Sequence, residues 1–192
     1  VDLTVLVGPD GDAHVYEPTP ADAKALGAAD LLVVNGLGFE GFVPRLVEAA
    51  GFRGTMVVAS EGIRPRAWKG GDDGDDDAHH HAADGDDDAH AADHRHDGEG
   101  SHRHGHDGDG GYDPHAWQDL ANGAAYVRTI AAALAKADPA HAAEYRKNAE
   151  RTLARLAVLD AEIKAAFAAI PPERRKVVTS HDAFGYFADA YG

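Results

Sequence analysis

Apolar residues fall along this chain in short blocks of two alternating kinds. LTVLV at residues 3–7, LLVV at 31–34 and TMVVA at 55–59 are aliphatic and β-branched runs of strand length, each closed by a polar or turn-forming segment. The continuously apolar run at 31–34, ending at Asn35 and Gly36, has the character of a buried parallel strand. Between them the pattern changes to helical spacing. Thr19 and Pro20 read as an N-cap and first helical position, with Asp22 in the first turn of a short helix reaching about Ala28. Residues 39–50 carry Phe42, Val43, Leu46 and Val47 on one helical face. Strand and helix alternate, which predicts an α/β fold with a mostly parallel sheet.

The second half is dominated by helix. Residues 116–137 are Ala-rich, and Asp138 with Pro139 restarts a helix as cap and first position. That helix is expected to run to about Ile170, with Tyr145, Ala149, Leu153, Leu156, Ile163, Phe167 and Ile170 as one apolar stripe. At 1.5 Å per residue such a helix is roughly 48 Å long, more than a small lobe needs, so it is expected to connect two lobes. Pro171 and Pro172 stop it, and KVVT at 176–179 reads as a further strand leading into Ser180, His181 and Asp182. The expected organisation is an N-terminal α/β lobe over 1–137, a linker helix over 138–171, and over 172–192 the start of a second α/β lobe, mostly missing from a truncated chain.

Charge separates one segment from the rest. The chain has 192 residues and a formal charge of −15, and residues 70–112 hold 13 Asp and one Glu against two Arg. That segment has no Leu, Ile, Val or Phe, and it carries His79, His80, His81, His90, His94, His96, His102, His104 and His106. It cannot bury enough apolar surface to offset the entropy of ordering it, so it is expected to be a disordered insertion. The acidic balance argues against a nucleic-acid partner, which needs clustered Lys and Arg. Cysteine is absent, so disulfides, thiolate metal sites and thiol nucleophiles are excluded and any metal is held by His, Asp or Glu. No apolar run approaches the roughly 20 residues of a membrane span, and the first residues lack a basic signal region, so any targeting segment is expected to have been removed.

Three of the four histidines outside the insertion share a placement. His14 lies in the loop after the first run, His115 follows Asp113 and Pro114, and His181 lies just past the run ending near Ser180. In an open α/β sheet, sites form outside the carboxyl ends of strands, so these residues could converge there. Three neutral imidazoles holding zinc at about 2.0 Å leave one position for a carboxylate or water. The plain alternative is three unrelated loop histidines, and His141, near the start of the long helix, keeps that reading.

The same residues carry a family resemblance. HVYEPTP at 14–20, LVVNGLGFEG at 32–41, DPHAW at 113–117 and SHDAFGYF at 180–187 together resemble the ZnuA-like, zinc-type solute-binding proteins of bacterial ABC transporters. An acidic, His-rich insertion before the DPH motif is a feature of that group. The resemblance implies two α/β lobes joined by one rigid helix, with metal held in the cleft between them by His14, His115 and His181. It implies zinc (Zn2+) as cargo, a membrane permease as partner, a monomeric protein with no nucleic-acid partner, and a periplasmic or surface-anchored location. A manganese or iron solute-binding protein of the same family is the alternative, although a third histidine where manganese-type relatives carry Glu favours zinc. This chain has Ala13 where the family has Pro, and the family's last carboxylate ligand is expected beyond Gly192. The loop histidines are expected to act as a weak zinc collector that raises local concentration near the cleft.

Two readings of a different class compete. Gly36, Gly38 and Gly41 spell G-x-G-x-x-G after a strand, with Glu61 just past the next strand, which fits an NAD-dependent enzyme. Glu40 inside the loop would repel a pyrophosphate, and Pro44 follows close behind. A zinc hydrolase could use Glu17 or Asp182 as general base, yet no H-E-x-x-H or nucleophile motif is present. Asp182 reads better as an orienting or helix-capping group. Capture without catalysis is the expectation.

Overall fold

A computed structural model describes residues 1–68 and 111–192. The nine insertion histidines and the expectation of disorder lie outside the described residues, except for its last two positions. There the sequence reading places the boundary late, because Tyr112 forms an antiparallel bridge with Ala67. Trp68 N–H donates to the Gly111 carbonyl (2.7 Å) and Asp113 N–H to that of Arg66 (2.9 Å), extending the pairing on both sides.

The predicted alternation is present in its central part. Helix α1 (Pro20–Gly27) begins at a capping box in which Asp22 N–H donates to Thr19 Oγ1 while the Asp22 carboxylate accepts from Thr19 N–H. Strand β1 (Leu31–Val34) pairs in parallel with β2 (Thr55–Val58), Leu31 opposite Thr55 and Val34 opposite Val58. Between them α2 (Val43–Ala50) is shorter than the apolar pattern predicts, because residues 36–41 are spent on a turn, and it ends at Gly51 in the left-handed conformation. Leu26, Leu32, Val34, Phe42, Val43 and Leu46 form the core between these elements.

Three sequence expectations are corrected. β1 is not buried on both faces, since Val33 is 44% exposed while Leu32 and Val34 are buried. Residues 3–7 form no strand, and Leu3 is 83% exposed, although Leu6 and Val7 lean on the core. Residues 176–179 likewise form none, with Val178 98% exposed. β-branched composition favours an extended backbone but does not supply a neighbour, and among the described residues neither run has a ladder partner.

The helical half follows the pattern with shifted boundaries. A 3-10 turn (Ala116–Gln118) precedes α3 (Leu120–Ala137), which is capped by Asp119 accepting from Ala121 N–H at 2.8 Å. A second 3-10 turn (Pro139–His141) leads into α4 (Ala142–Ala168). The Asp138 side chain makes no N-cap hydrogen bond, while its N–H closes α3 on the Leu134 carbonyl at 2.9 Å. Its carboxylate accepts instead from His141 Nδ1 (2.7 Å) and the Tyr145 hydroxyl (2.8 Å), which ties exposed His141 to its own turn. The stripe from Tyr145 to Phe167 is half-buried, but Ile170 lies past the helix and is exposed. At 27 residues α4 spans about 40 Å and packs along α3. A final helix α5 (Gly185–Tyr191) packs near the Phe167 end of α4, with Phe187 and Phe167 ring centroids 5.2 Å apart.

Candidate metal centre

The centre is assembled from the carboxyl end of β1 outward. Asn35, the first residue past that strand, is a hub of five hydrogen bonds, one of them from Ser60 N–H to its carbonyl at 3.2 Å. Its N–H donates to Glu40 Oε1 (2.6 Å), its Nδ2 donates to the carbonyls of Gly36 and Pro114 (both 2.9 Å), and its Oδ1 accepts from the Tyr126 hydroxyl (2.6 Å). Burial raises the Tyr126 pKa to about 12, so the phenol remains a donor. Asn35 thereby holds the peptide immediately before His115 against the strand end.

The glycine turn serves the same purpose. Glu40 Oε2 accepts from Gly36 N–H at 3.2 Å, so this carboxylate takes the Asn35 and Gly36 amides that a pyrophosphate would need. The G-x-G-x-x-G string is a structural turn in which Gly36, Leu37 and Gly38 all have positive φ. Its outcome is to place Phe39, whose ring stands edge-on to His14 at 4.7 Å.

His115 is 2% exposed and fixed from behind by Asp113, which is 1% exposed. Asp113 Oδ1 accepts from His115 N–H (3.0 Å) and lies 2.9 Å from His115 Nδ1. A carboxylate at Nδ1 assigns the proton to that nitrogen and leaves the Nε2 lone pair facing forward. His14 approaches from a loop in which Asp12 Oδ1 accepts from its N–H at 2.9 Å. His181 approaches from the segment before α5. His14 Nε2 and His181 Nε2 lie 3.2 Å and 3.1 Å from His115 Nε2.

Those spacings match a metal site. Nitrogens at about 2.0 Å from a tetrahedral zinc are about 3.3 Å apart. All three donors fall within 4.8 Å of one another, and among the described residues no carboxylate joins them. Burial is the largest influence lowering the His14 pKa, and His115 and His181 add to it against an opposing pull from Asp12. The shift favours the neutral form that ligation requires.

Around the nitrogens stands an aromatic wall. Trp117 lies 5.4 Å from the His115 ring and 5.0 Å from Phe39, and Trp68 lies 6.3 Å from His115. Neither candidate base is part of the cluster: Glu17 is exposed, and Asp182 caps nothing, because α5 starts at Gly185 without a side-chain cap. The orienting carboxylate is Asp113 instead. Sequence reasoning quoted it without assigning the role, although an Asp two residues before a candidate ligand was a usable signal. Asn35 and Tyr126 carried no such signal.

Comparison with known proteins agrees with this architecture. The chain is 31% identical to the manganese ABC transporter substrate-binding lipoprotein PsaA of Streptococcus pneumoniae, over all of this chain and 53% of that protein. It is 30% identical to the iron-binding protein YfeA of Yersinia pestis, over 96% of this chain and 48% of that one. A zinc-bound ZnuA crystal structure lacking its residues 138–173 superposes with a TM-score of 0.74 at 26% identity, covering 100% of this chain and 58% of that one. The chain spans about half the length of the curated relatives it matches. Over residues 1–192 it matches the family described as ZnuA, zinc-uptake complex component A, periplasmic, and it belongs to that family.

Proposed function

We propose that this protein captures extracytoplasmic zinc and delivers it to the membrane permease of an ABC transporter, without catalysing a reaction. One observation carries the reading: three imidazole Nε2 atoms, two pairs of them 3.1 and 3.2 Å apart, at the spacing of a tetrahedral zinc shell. Zinc is cargo here, held by His14, His115 and His181 with a fourth position left for a carboxylate or water. Family membership supports transport, and the relatives named for manganese and iron make those ions the second reading. Three imidazole donors favour zinc over manganese, which prefers oxygen ligands.

In this reading α4 is the linker between two lobes, and the histidines of the 70–112 insertion collect zinc weakly close to the site. The pairing of Trp68 with Gly111 supports that role, because the described residues that flank the insertion meet where Trp68 lies 6.3 Å from the His115 ring. The carrier works as a monomer in the periplasm or anchored at the cell surface, and no helix among the described residues is long and apolar enough to cross a membrane.

The test is a competitive chelator titration with zinc, manganese and iron(II), on the parent chain and on a version lacking residues 70–110. One tight zinc site surviving deletion, and lost in His14→Ala, His115→Ala and His181→Ala but not His141→Ala, supports the assignment. Equal, small effects at all four histidines overturn it. Tighter binding of manganese than zinc selects the second reading. If deletion leaves the rate and extent of zinc transfer unchanged, the collector role is wrong.

A further inference from the structure

His115 and His181 come from segments that share no secondary structure, yet their nitrogens lie 3.1 Å apart. His181 follows the exposed stretch 176–180, so its position depends on how α5 docks. Beside its contacts with α4 and Leu120, α5 is tied toward His115 by one residue. Arg66 N–H donates to the Tyr186 hydroxyl (2.7 Å), and its Nε donates to Asp189 Oδ2 (2.9 Å), both on α5. In the other direction its Nη1 donates to Asp113 Oδ2 (3.3 Å), while its carbonyl accepts from Asp113 N–H (2.9 Å). Asp113 holds His115 through its other oxygen.

Gly185, the first residue of α5, lies directly on this junction. A Cβ there would meet the Arg66 guanidinium and come within 2.8 Å of Asp113 Oδ2, so the helix can approach only without a side chain at that position. Tyr186 is 5% exposed, which makes its bond to Arg66 a buried anchor, whereas Asp189 is largely in solvent and adds little.

We propose that Arg66 is a positioning residue that couples α5, and with it His181, to the Asp113–His115 pair, its backbone N–H anchoring Tyr186 while its guanidinium, lodged between Gly185 and Asp113, sets the forward-facing tautomer of His115. The inference rests on the metal-capture reading for its consequence, but its geometry is measurable without metal. A planar fork that binds two carboxylates in different directions is a task for Arg and not for Lys, whose ammonium is a single point charge.

The experiment combines nitrogen NMR of the histidine side chains in the metal-free chain with a competitive zinc titration, on the parent, Arg66→Ala, Arg66→Lys, Gly185→Ala and Asp189→Asn. The parent is expected to show His115 as a single Nδ1–H tautomer. Arg66→Ala and Gly185→Ala are expected to give a mixed tautomer signature and zinc affinity lower by about 10- to 100-fold, the usual scale for groups that orient a ligand. Arg66→Lys should recover thermal stability more than tautomer purity, and Asp189→Asn should resemble the parent. If Arg66→Ala fails to fold, Gly185→Ala decides the matter by the same two readouts. A pure tautomer with affinity within about twofold of the parent in these variants overturns the inference, even if the melting temperature falls. A parent with the single tautomer but no zinc binding overturns the metal reading and leaves the positioning role standing.

Discussion

The Asp113 carboxylate and the His115 imidazole, two residues apart in sequence, form a closed local unit in which one oxygen accepts from both the backbone N–H and Nδ1 of the histidine. Their separation by a single proline keeps the peptide extended, so the carboxylate folds back onto the ring that follows it. Asp113→Asn is expected to lower zinc affinity by about 10- to 100-fold with little change in secondary structure. Asp113→Ala should in addition cost about 1.5–3 kcal/mol of stability, because buried hydrogen bonds to a charged group are lost. Urea unfolding beside chelator competition separates the two effects.

Both tryptophans of the chain stand beside His115, Trp117 at 5.4 Å and Trp68 at 6.3 Å between ring centroids. Tryptophan emission is therefore expected to change when zinc binds and to saturate with the tight site. His115→Ala should abolish the change. A signal that follows only weak, later-filling sites would place the cation elsewhere.

Asp22 accepts from Thr19 N–H, the Thr19 hydroxyl and the Tyr16 hydroxyl, and the Thr19 bonds are the largest cause holding its carboxyl below the ordinary value of 3.8. Between the lowered folded value and 3.8 the unfolded chain binds more protons than the folded one, so stability rises with pH there. The contribution is complete above 3.8 and lost as pH falls through the folded value. Asp22→Asn should be less stable than the parent at neutral pH, with the gap closing in acid. Thr19→Ala should cost about 1 kcal/mol at neutral pH. Thermal melts across pH test both.

Gly36 and Gly38 both have positive φ, at 86° and 78°, but their surroundings differ. A Cβ on Gly36 would lie 2.5 Å from Val58 Cγ1 and 2.8 Å from Ser60 Oγ, whereas one on Gly38 meets open space. Gly38→Ala should cost about 1–2 kcal/mol for the left-handed backbone alone. Gly36→Ala should cost more and also weaken zinc binding, because it displaces the strand end that holds Asn35. Equal losses in urea unfolding would contradict this account.

Short-range chemistry was legible in the chain because each signal is complete within a few residues. Thr19 with Asp22 specifies a helix start, LLVV and TMVVA specify strands with a helix between them, and Pro171 with Pro172 stops α4 within three residues. That His14 and His181 follow apolar runs, and that His115 follows Asp113 and Pro114, was readable in the same way. Residues 3–7 and 176–179 look the same in sequence but form no strand, because pairing depends on a neighbour and not on composition.

Tertiary structure alone decided that the three histidines meet. His14 and His181 lie 101 and 66 positions from His115, and no local pattern encodes a 3 Å approach over such separations. The residues that enforce it, Asn35, Asp113, Tyr126 and Arg66, are polar groups whose partners lie far along the chain, apart from Asp113 and the histidine it orients. Sequence supplied the donors, because imidazole chemistry belongs to the residue itself. Their geometry belongs to the fold, because a buried hydrogen bond exists only once both partners have been brought out of water together.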